Sequence, residues 1–546
     1  MTLGPLDASE AAVSPDAAAR ALDALGRELG AGAVTRSEAA LREYRDPYSF
    51  AGWDTHVASG VVAPTSVEQV QTVVRVAAEH RVPLWTFSQG RNNGYGGAAP
   101  RVANSILVNL REMDRILEID DDLCHAIVEP GVRFLDLYAA LKQGGHALWQ
   151  SIPDIGWGSI VGNTLDHGVG FIGLGDHPQR QCGMEVVLAS GDVLRTGLGA
   201  LPTARNWTAA RRGFGPTVDS LFMQSNFGIV TKMGVWLRPQ PESYMSCEVN
   251  VENEDDLGML IETLRPLMLD GTIENIPVAF SPSMSAGVFG GLNRADYYDG
   301  DGPVPREIVQ RMVDDAGVGW WYMRFALYGL DEVVDAKWRR CQKAFARIPG
   351  ARVTGRQYDG ATAQEQVAPR RAPEDGPLIQ VHADRTQAGV PGLEILDNIS
   401  WDEADTAGHL DYSPVAALTG EEAVRQHKLL RTLFESRGFD YASSLMMISP
   451  RSFVNIASLW FDTTDEAACR HAYDSIRWMV REAGKEGYVP YRAHLDVMDV
   501  AAEQQSFGDH AMRRFNEAVK DAVDPAGILA PGKQGIWPAA MRPAGR

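Results

Sequence analysis

Three short stretches carry residue types that could do chemistry. In SQGRNNGYGG, residues 88–97, four glycines and two asparagines surround one large aromatic, Tyr95. Positions without side chains let successive backbone N–H groups turn onto an anion such as a pyrophosphate. In PDIGWGSIVGNTLDHGVGFIGLGDH, residues 153–177, seven glycines in 25 residues imply a second close backbone approach, with an acid, Asp154, near its start. In PYRAH, residues 490–494, a phenol and a guanidinium, Tyr491 and Arg492, stand side by side behind Pro490. Each stretch also has a plain structural reading: a wide glycine turn, a Pro-Asp turn, and a surface pair beside Pro490.

The surrounding elements decide what these stretches can be. Residues 66–80 place Val67, Val70, Val73, Val74 and Ala77 on one helical face behind the candidate caps Thr65 and Ser66, and Pro83 stops the helix. The apolar runs PLWTF and SILVNL (105–110) read as strands, so the glycine loop joins strand to strand. That separates it from GxGxxG opening a helix and from a GK[ST] phosphate loop. Residues 129–145 read as a turn and an amphipathic helix, 184–197 as a hairpin turning at Ser190-Gly191, and 225–241 as a strand pair. Beyond a boundary near 240, strand-like runs alternate with amphipathic helices at 420–438 and 468–484. The expected organisation is 1–240, then 241–487, then a segment 488–546 that returns to the first region.

A chain of 546 residues exceeds what one core supports. A formal net charge of -20 argues against binding a nucleic-acid backbone. Five cysteines, odd in number and without a CxxC pair, fit neither a disulfide framework nor a zinc site, so a reducing compartment, the cytoplasm, and no metal are expected. The sequence has no apolar stretch long enough to span a bilayer, so no membrane partner is expected.

Taken in order, PTSVEQV (64–70), SQGRNNGYGG, PDIGWGSIVGNTL, SNFGIVTK (225–232), GHLDYSP (408–414), PYRAH and GILAPGK (527–533) resemble the vanillyl-alcohol oxidase and p-cresol methylhydroxylase flavoprotein family. The resemblance implies an α+β, two-domain FAD-binding fold with an α/β cap domain over the flavin. It implies that Ser88, Gly90, Arg91, Asn92, Asn93, Gly94, Gly96 and Gly97 wrap the FAD pyrophosphate. Pro153, Gly158, Ser159, Gly162, Asn163, Gly228, Ile229, Val230 and Lys533 would complete the cofactor site. His409 matches the histidine that carries FAD covalently, Tyr95, Tyr491 and Arg492 match a trio that binds a phenolate, and Asp154 matches the acid beside flavin N5.

The chain also departs from the family pattern. His167, Phe171 and Leu174 stand where relatives usually have an arginine and two tyrosines, and Asp411 where close relatives commonly have glycine. Val169, Phe171, Asp411, Ser413, Ser444, Met446 and Phe453 are expected to line the substrate pocket. The implied activity is oxidation of para-substituted phenols: 4-hydroxybenzyl alcohols such as vanillyl alcohol to aldehydes, and 4-alkyl- or 4-allylphenols such as eugenol through a quinone methide. Dioxygen would leave as hydrogen peroxide, and a homodimer is expected. The alternatives are a same-fold dehydrogenase passing electrons to a cytochrome, a flavoprotein oxidase of a non-phenolic substrate, and a flavin binder without turnover.

Overall fold

The computed structural model describes residues 13–50, 56–372, 374–398 and 406–542. The helix Val67–His80 is capped by the Ser66 side chain, which accepts from the Gln69 amide, and its buried face is Val70, Val73, Val74, Val76 and Ala77. It packs on a four-stranded sheet in which Gly60–Val62 and Leu84–Phe87 both pair in parallel with Ile106–Asn109. Parallel neighbours need a crossover connection, usually a helix. Between Phe87 and Ile106 that crossover is the glycine loop itself, with Gly90, Gly94, Gly96 and Gly97 all at positive φ. Four left-handed turns in eight residues are accessible to glycine and strained for other residues.

A five-stranded antiparallel sheet follows, in the order Ile116–Asp120, His125–Val128, Ile229–Trp236, Gln181–Val187, Val193–Arg195. Its last two strands form the expected hairpin, with Gly191 at φ 85°. The expected strand pair over 225–241 is instead one long strand and a two-residue one. Arg238–Pro239 pairs with Leu148–Trp149, because Pro239 has no N–H to give to an interior ladder.

The third sheet has eight strands, all from residues 243–462 and antiparallel throughout. Helices Leu257–Leu269, Asp331–Phe345, Gly420–Ser436 and Glu466–Lys485 contribute to a core on one face of it, with Phe325, Leu445 and Leu459. The other face carries Phe280, Tyr322 and Met446, packed with Phe171 and Phe289. The tail then crosses back. The Leu84 amide donates to Ile528 and the Ala530 amide to Leu84, each at 2.7 Å, so 528–530 adds to the exposed edge of the four-stranded sheet. Lys520, fully buried, donates to the carbonyls of Asn226 and Leu529 and pairs with Asp524 at 2.7 Å. Among the described residues, no helix is long and apolar enough to cross a membrane.

Candidate active site

Between the first two sheets lies an elongated cavity. Its walls include Ser88, Gly90, Arg91, Asn92 and Gly97 from the loop, and Gly158, Ser159, Gly162 and Asn163 from the second glycine segment. Gly228, Ile229 and Val230 from the long central strand, and Lys533 from the tail, close it. Two observations fit this space to FAD. A methyl group on Gly158 would meet no atom within 4 Å and would project into the cavity, so the bare backbone is what keeps that space open. Ser225 Oγ and Asn226 Oδ1, both on the cavity wall, are buried without a hydrogen-bond partner among the described residues. Such groups call for a polar ligand. Asn93, Gly94, Gly96 and Pro153 do not line the cavity. Gly94 turns toward His409 and Asp411, Gly96 packs on Leu495, and Pro153 leads into Asp154.

The trio comes together from two distant segments. Arg492 Cζ lies 5.0 Å from the Tyr95 ring centre and 5.3 Å from that of Tyr491. Its Nε and Nη2 donate to the Asp166 carbonyl at 3.1 and 2.8 Å, which fixes the guanidinium plane. The Tyr95 and Ser413 hydroxyls are 2.7 Å apart, and the Tyr491 amide donates to the Ser413 carbonyl at 3.0 Å. Burial pushes the Tyr95 hydroxyl well above its ordinary pKa, Asp411 and Tyr491 push the same way, and Arg492 opposes them. Tyr491 is raised by burial against Arg492. Both phenols therefore stay protonated at neutral pH and are available as donors beside a fixed cation.

His409 stands on the sheet-edge strand Ala407–Tyr412, 7 % exposed, between the rings of Tyr48 at 4.7 Å and Trp460 at 6.4 Å. A methyl group on Gly94 would lie 2.9 Å from His409 Nε2 and 2.6 Å from Asp411 Oδ2, so the loop presses directly on this pair. The pair shares one face of the strand, as residues two apart must.

Asp154 is held by two residues that the sequence analysis did not single out. Its Oδ1 accepts from Arg324 Nη2 and from His382 Nε2, each at 2.7 Å. Burial alone would raise the Asp154 pKa, but Arg324 and then His382 outweigh it and bring it down to about 2. Arg324, in turn, lies 4.2 Å from the Phe171 ring centre and 5.4 Å from that of Phe280. A single charge inside the apolar strand WWYMRFALYG was the available signal for Arg324. His382 gave none, being one polar residue on a mixed helix.

The pocket residues divide. Val169, Phe171 and Met446 pack in the aromatic cluster around Arg324, Ser444 opposes Phe280 on the same sheet face, and Ser413 touches Tyr95. Phe453 is corrected: it is buried in the core under the helices, with Leu445 and Leu459, on the far side of the sheet. Strand alternation explains this, because Val454, Ile456 and Trp460 take the face turned to the site. Leu174 is 42 % exposed, so that departure from the family pattern lies away from the trio.

A family model described as an FAD binding domain matches residues 58–197. The chain is 36% identical over 483 residues to the 4-cresol dehydrogenase [hydroxylating] flavoprotein subunit of Pseudomonas putida, covering 88% of each. It is 28% identical over 550 residues to 1'-carboxy-chondrochloren decarboxylase of Chondromyces crocatus, covering 95% of this chain and 98% of that one. Among solved structures it resembles 4-ethylphenol oxidase from Gulosibacter chungangensis in its isoeugenol complex, with a TM-score of 0.91, 37% identity, and coverage of 97% and 99%. It also resembles substrate-bound p-cresol methylhydroxylase, with a TM-score of 0.89, 33% identity, and coverage of 97% and 98%. The chain is an FAD-dependent oxidoreductase and belongs to the phenol-oxidising flavoprotein family of vanillyl-alcohol oxidase and p-cresol methylhydroxylase.

Proposed function

We propose that the protein is an oxidase of phenols carrying an oxidisable para side chain, and that it binds them as phenolates. The observation that carries this reading is the gathering of Tyr95, Tyr491 and Arg492, with one fixed guanidinium lying against the rings of two tyrosines whose hydroxyls stay protonated. A phenol has a pKa near 10, so binding its anion at neutral pH costs roughly 4 kcal/mol. Charge-assisted hydrogen bonds contribute about 1.5 to 3 kcal/mol each, enough for three donors to offset that cost. The oxyanion pushes electron density through the ring and makes the benzylic C–H a hydride donor.

FAD, once bound, supplies the two-electron acceptor. The chain's residues do the rest. The trio fixes the ring and its charge. Asp154, with Oδ1 held twice, keeps Oδ2 for the benzylic hydroxyl or for a water molecule. It stays an anion, so it orients a water molecule toward the electron-poor carbon and receives its proton as the C–O bond forms, or receives the proton of the benzylic hydroxyl as the aldehyde is released. His382, kept neutral by burial, donates to Oδ1 of the same carboxylate and holds it in place. His409 is the proposed point of covalent attachment, a homodimer the proposed assembly, and dioxygen the proposed final acceptor.

The test is aerobic turnover of 4-hydroxybenzyl alcohol by the purified flavoprotein. One hydrogen peroxide per aldehyde is expected. Flavin reduction by the phenol without peroxide, but with reduction of an added cytochrome, would assign the dehydrogenase behaviour named for the Pseudomonas putida relative. No flavin reduction by any para-hydroxybenzyl alcohol would overturn the reading.

A further inference from the structure

Asp411 stands where an anion is least expected. It is two residues before Ser413, whose hydroxyl is 2.7 Å from that of Tyr95, and its Oδ2 lies 2.6 Å from where a methyl group on Gly94 would be. Gly94 immediately precedes Tyr95 in the loop. The carboxylate therefore borders the point at which the trio gathers a negative charge, and it acts on Tyr95, Tyr491 and Arg492 alike. Its side chain is only 9 % exposed. Oδ1 is satisfied by the Ser458 hydroxyl at 2.5 Å. Oδ2 accepts no hydrogen bond among the described residues, and His409 Nε2 is 3.8 Å away from it.

A carboxylate oxygen that no protein donor reaches, on a side chain largely shielded from water, is costly beside a second anion. A bound phenolate makes matters worse unless the substrate itself brings a donor. The ring atom next to the phenolate carbon is the only part of a para-substituted phenol that stays close to the trio whatever the side chain. A hydroxyl there points a proton at Oδ2, whereas a methoxy group offers only lone pairs and a hydrogen atom offers nothing.

We propose that Asp411 makes this enzyme selective for catechols, 3,4-dihydroxyphenyl substrates with an oxidisable para side chain, by accepting a hydrogen bond from the hydroxyl ortho to the phenolate. The inference rests on the phenolate reading above and goes beyond it by naming the ring pattern. A site built to hydrogen-bond a substrate hydroxyl discriminates against the analogue that lacks it, because its own polar group is left unpaired. The guanidinium of Arg492 supplies the charge for one anion, and the ortho hydroxyl neutralises the other.

The experiment compares anaerobic flavin reduction by 3,4-dihydroxybenzyl alcohol, 4-hydroxybenzyl alcohol and vanillyl alcohol, which avoids catechol autoxidation. In the wild type, second-order reduction by the catechol should exceed that by vanillyl alcohol by about 10- to 100-fold, the worth of one hydrogen bond to a charged group. In Asp411→Gly that ratio should collapse toward one or invert in favour of the methoxy compound. Equal wild-type rates, or a ratio that survives Asp411→Gly, would overturn the proposal. A fall in covalently bound flavin with an unchanged ratio would also overturn it, and would assign Asp411 to His409 instead. If the variant fails to load FAD, the wild type still decides: 3,4-dihydroxybenzaldehyde should perturb the flavin spectrum at a concentration at least about 10-fold lower than vanillin, and equal affinities refute it. Failure of all three alcohols would count against the phenol reading, whereas oxidation of 4-hydroxybenzyl alcohol without catechol preference counts only against Asp411.

Discussion

The cofactor cavity and the substrate side of the site are built from different materials. The cavity draws on bare and backbone-rich segments: Gly90 and Gly97 of the loop at positive φ, Gly158, and the strand start at 228–230. The substrate side is made of side chains that correct one another's charge: Arg324 and His382 on Asp154, Arg492 between two tyrosines, Ser458 on Asp411. Backbone can cradle a dianion in an acidic protein because its N–H groups need no net charge. A site that must create an anion from a neutral phenol needs a full positive charge, held in place and kept dry. Damage to the first region should thus remove the cofactor, and damage to the second should leave a yellow, slow enzyme.

The sharpest break is Gly94→Ala. The new methyl would collide with His409 and Asp411 at a residue whose φ is 75°, and we expect a protein that no longer retains FAD after gel filtration. Asp154→Asn should stay yellow while anaerobic flavin reduction by 4-hydroxybenzyl alcohol slows by about 10²- to 10⁴-fold. A rate within a few-fold of wild type would return Asp154 to the role of a turn residue. Arg492→Lys replaces a planar fork with a point charge and should slow reduction by about 10- to 100-fold, again without loss of FAD.

The electrostatic pairing makes a pH prediction. Because the Asp154 pKa is lowered to about 2, its pairing contributes stability that is fully present above the ordinary carboxylate pKa and is lost as pH falls toward 2. The wild-type reduction rate should then show no acid limb from this group above roughly pH 4. In Arg324→Met the burial remains and its chief counterweight is gone, so an acid limb should appear at higher pH in stopped-flow reduction. The smallest effect on catalysis belongs to Phe453→Leu, which should lower stability by about 0.5 to 3 kcal/mol and leave the order of substrate preference intact.

The two regions also differ in how far the sequence reveals them. The cavity comes from contiguous runs, so glycine spacing between two strand patterns was enough to place the loop between its strands, while Tyr95's part in the site came from the family resemblance. The tail's return at 528–530 was legible through GILAPGK. The substrate side joins residues far apart in the chain: Arg324 is 170 positions from Asp154 and His382 is 228. No local period records such a pairing. Phe453 was misplaced for a related reason, since alternation says that Phe453 and Val454 face opposite ways but not which face meets the site.

Hydride loss from the substrate depends on the charge of the para oxygen. Anaerobic stopped-flow reduction of the flavoprotein should be followed with 4-hydroxybenzyl alcohol and with its methyl ether, 4-methoxybenzyl alcohol. The ether cannot ionise, so the electron push that drives hydride loss is absent, and a rate at least about 10³-fold lower is expected, roughly 4 kcal/mol of transition-state stabilisation. Reduction by the alcohol and essentially none by the ether is the predicted result. Comparable rates for the two would contradict the phenolate mechanism, whatever else binds in the site.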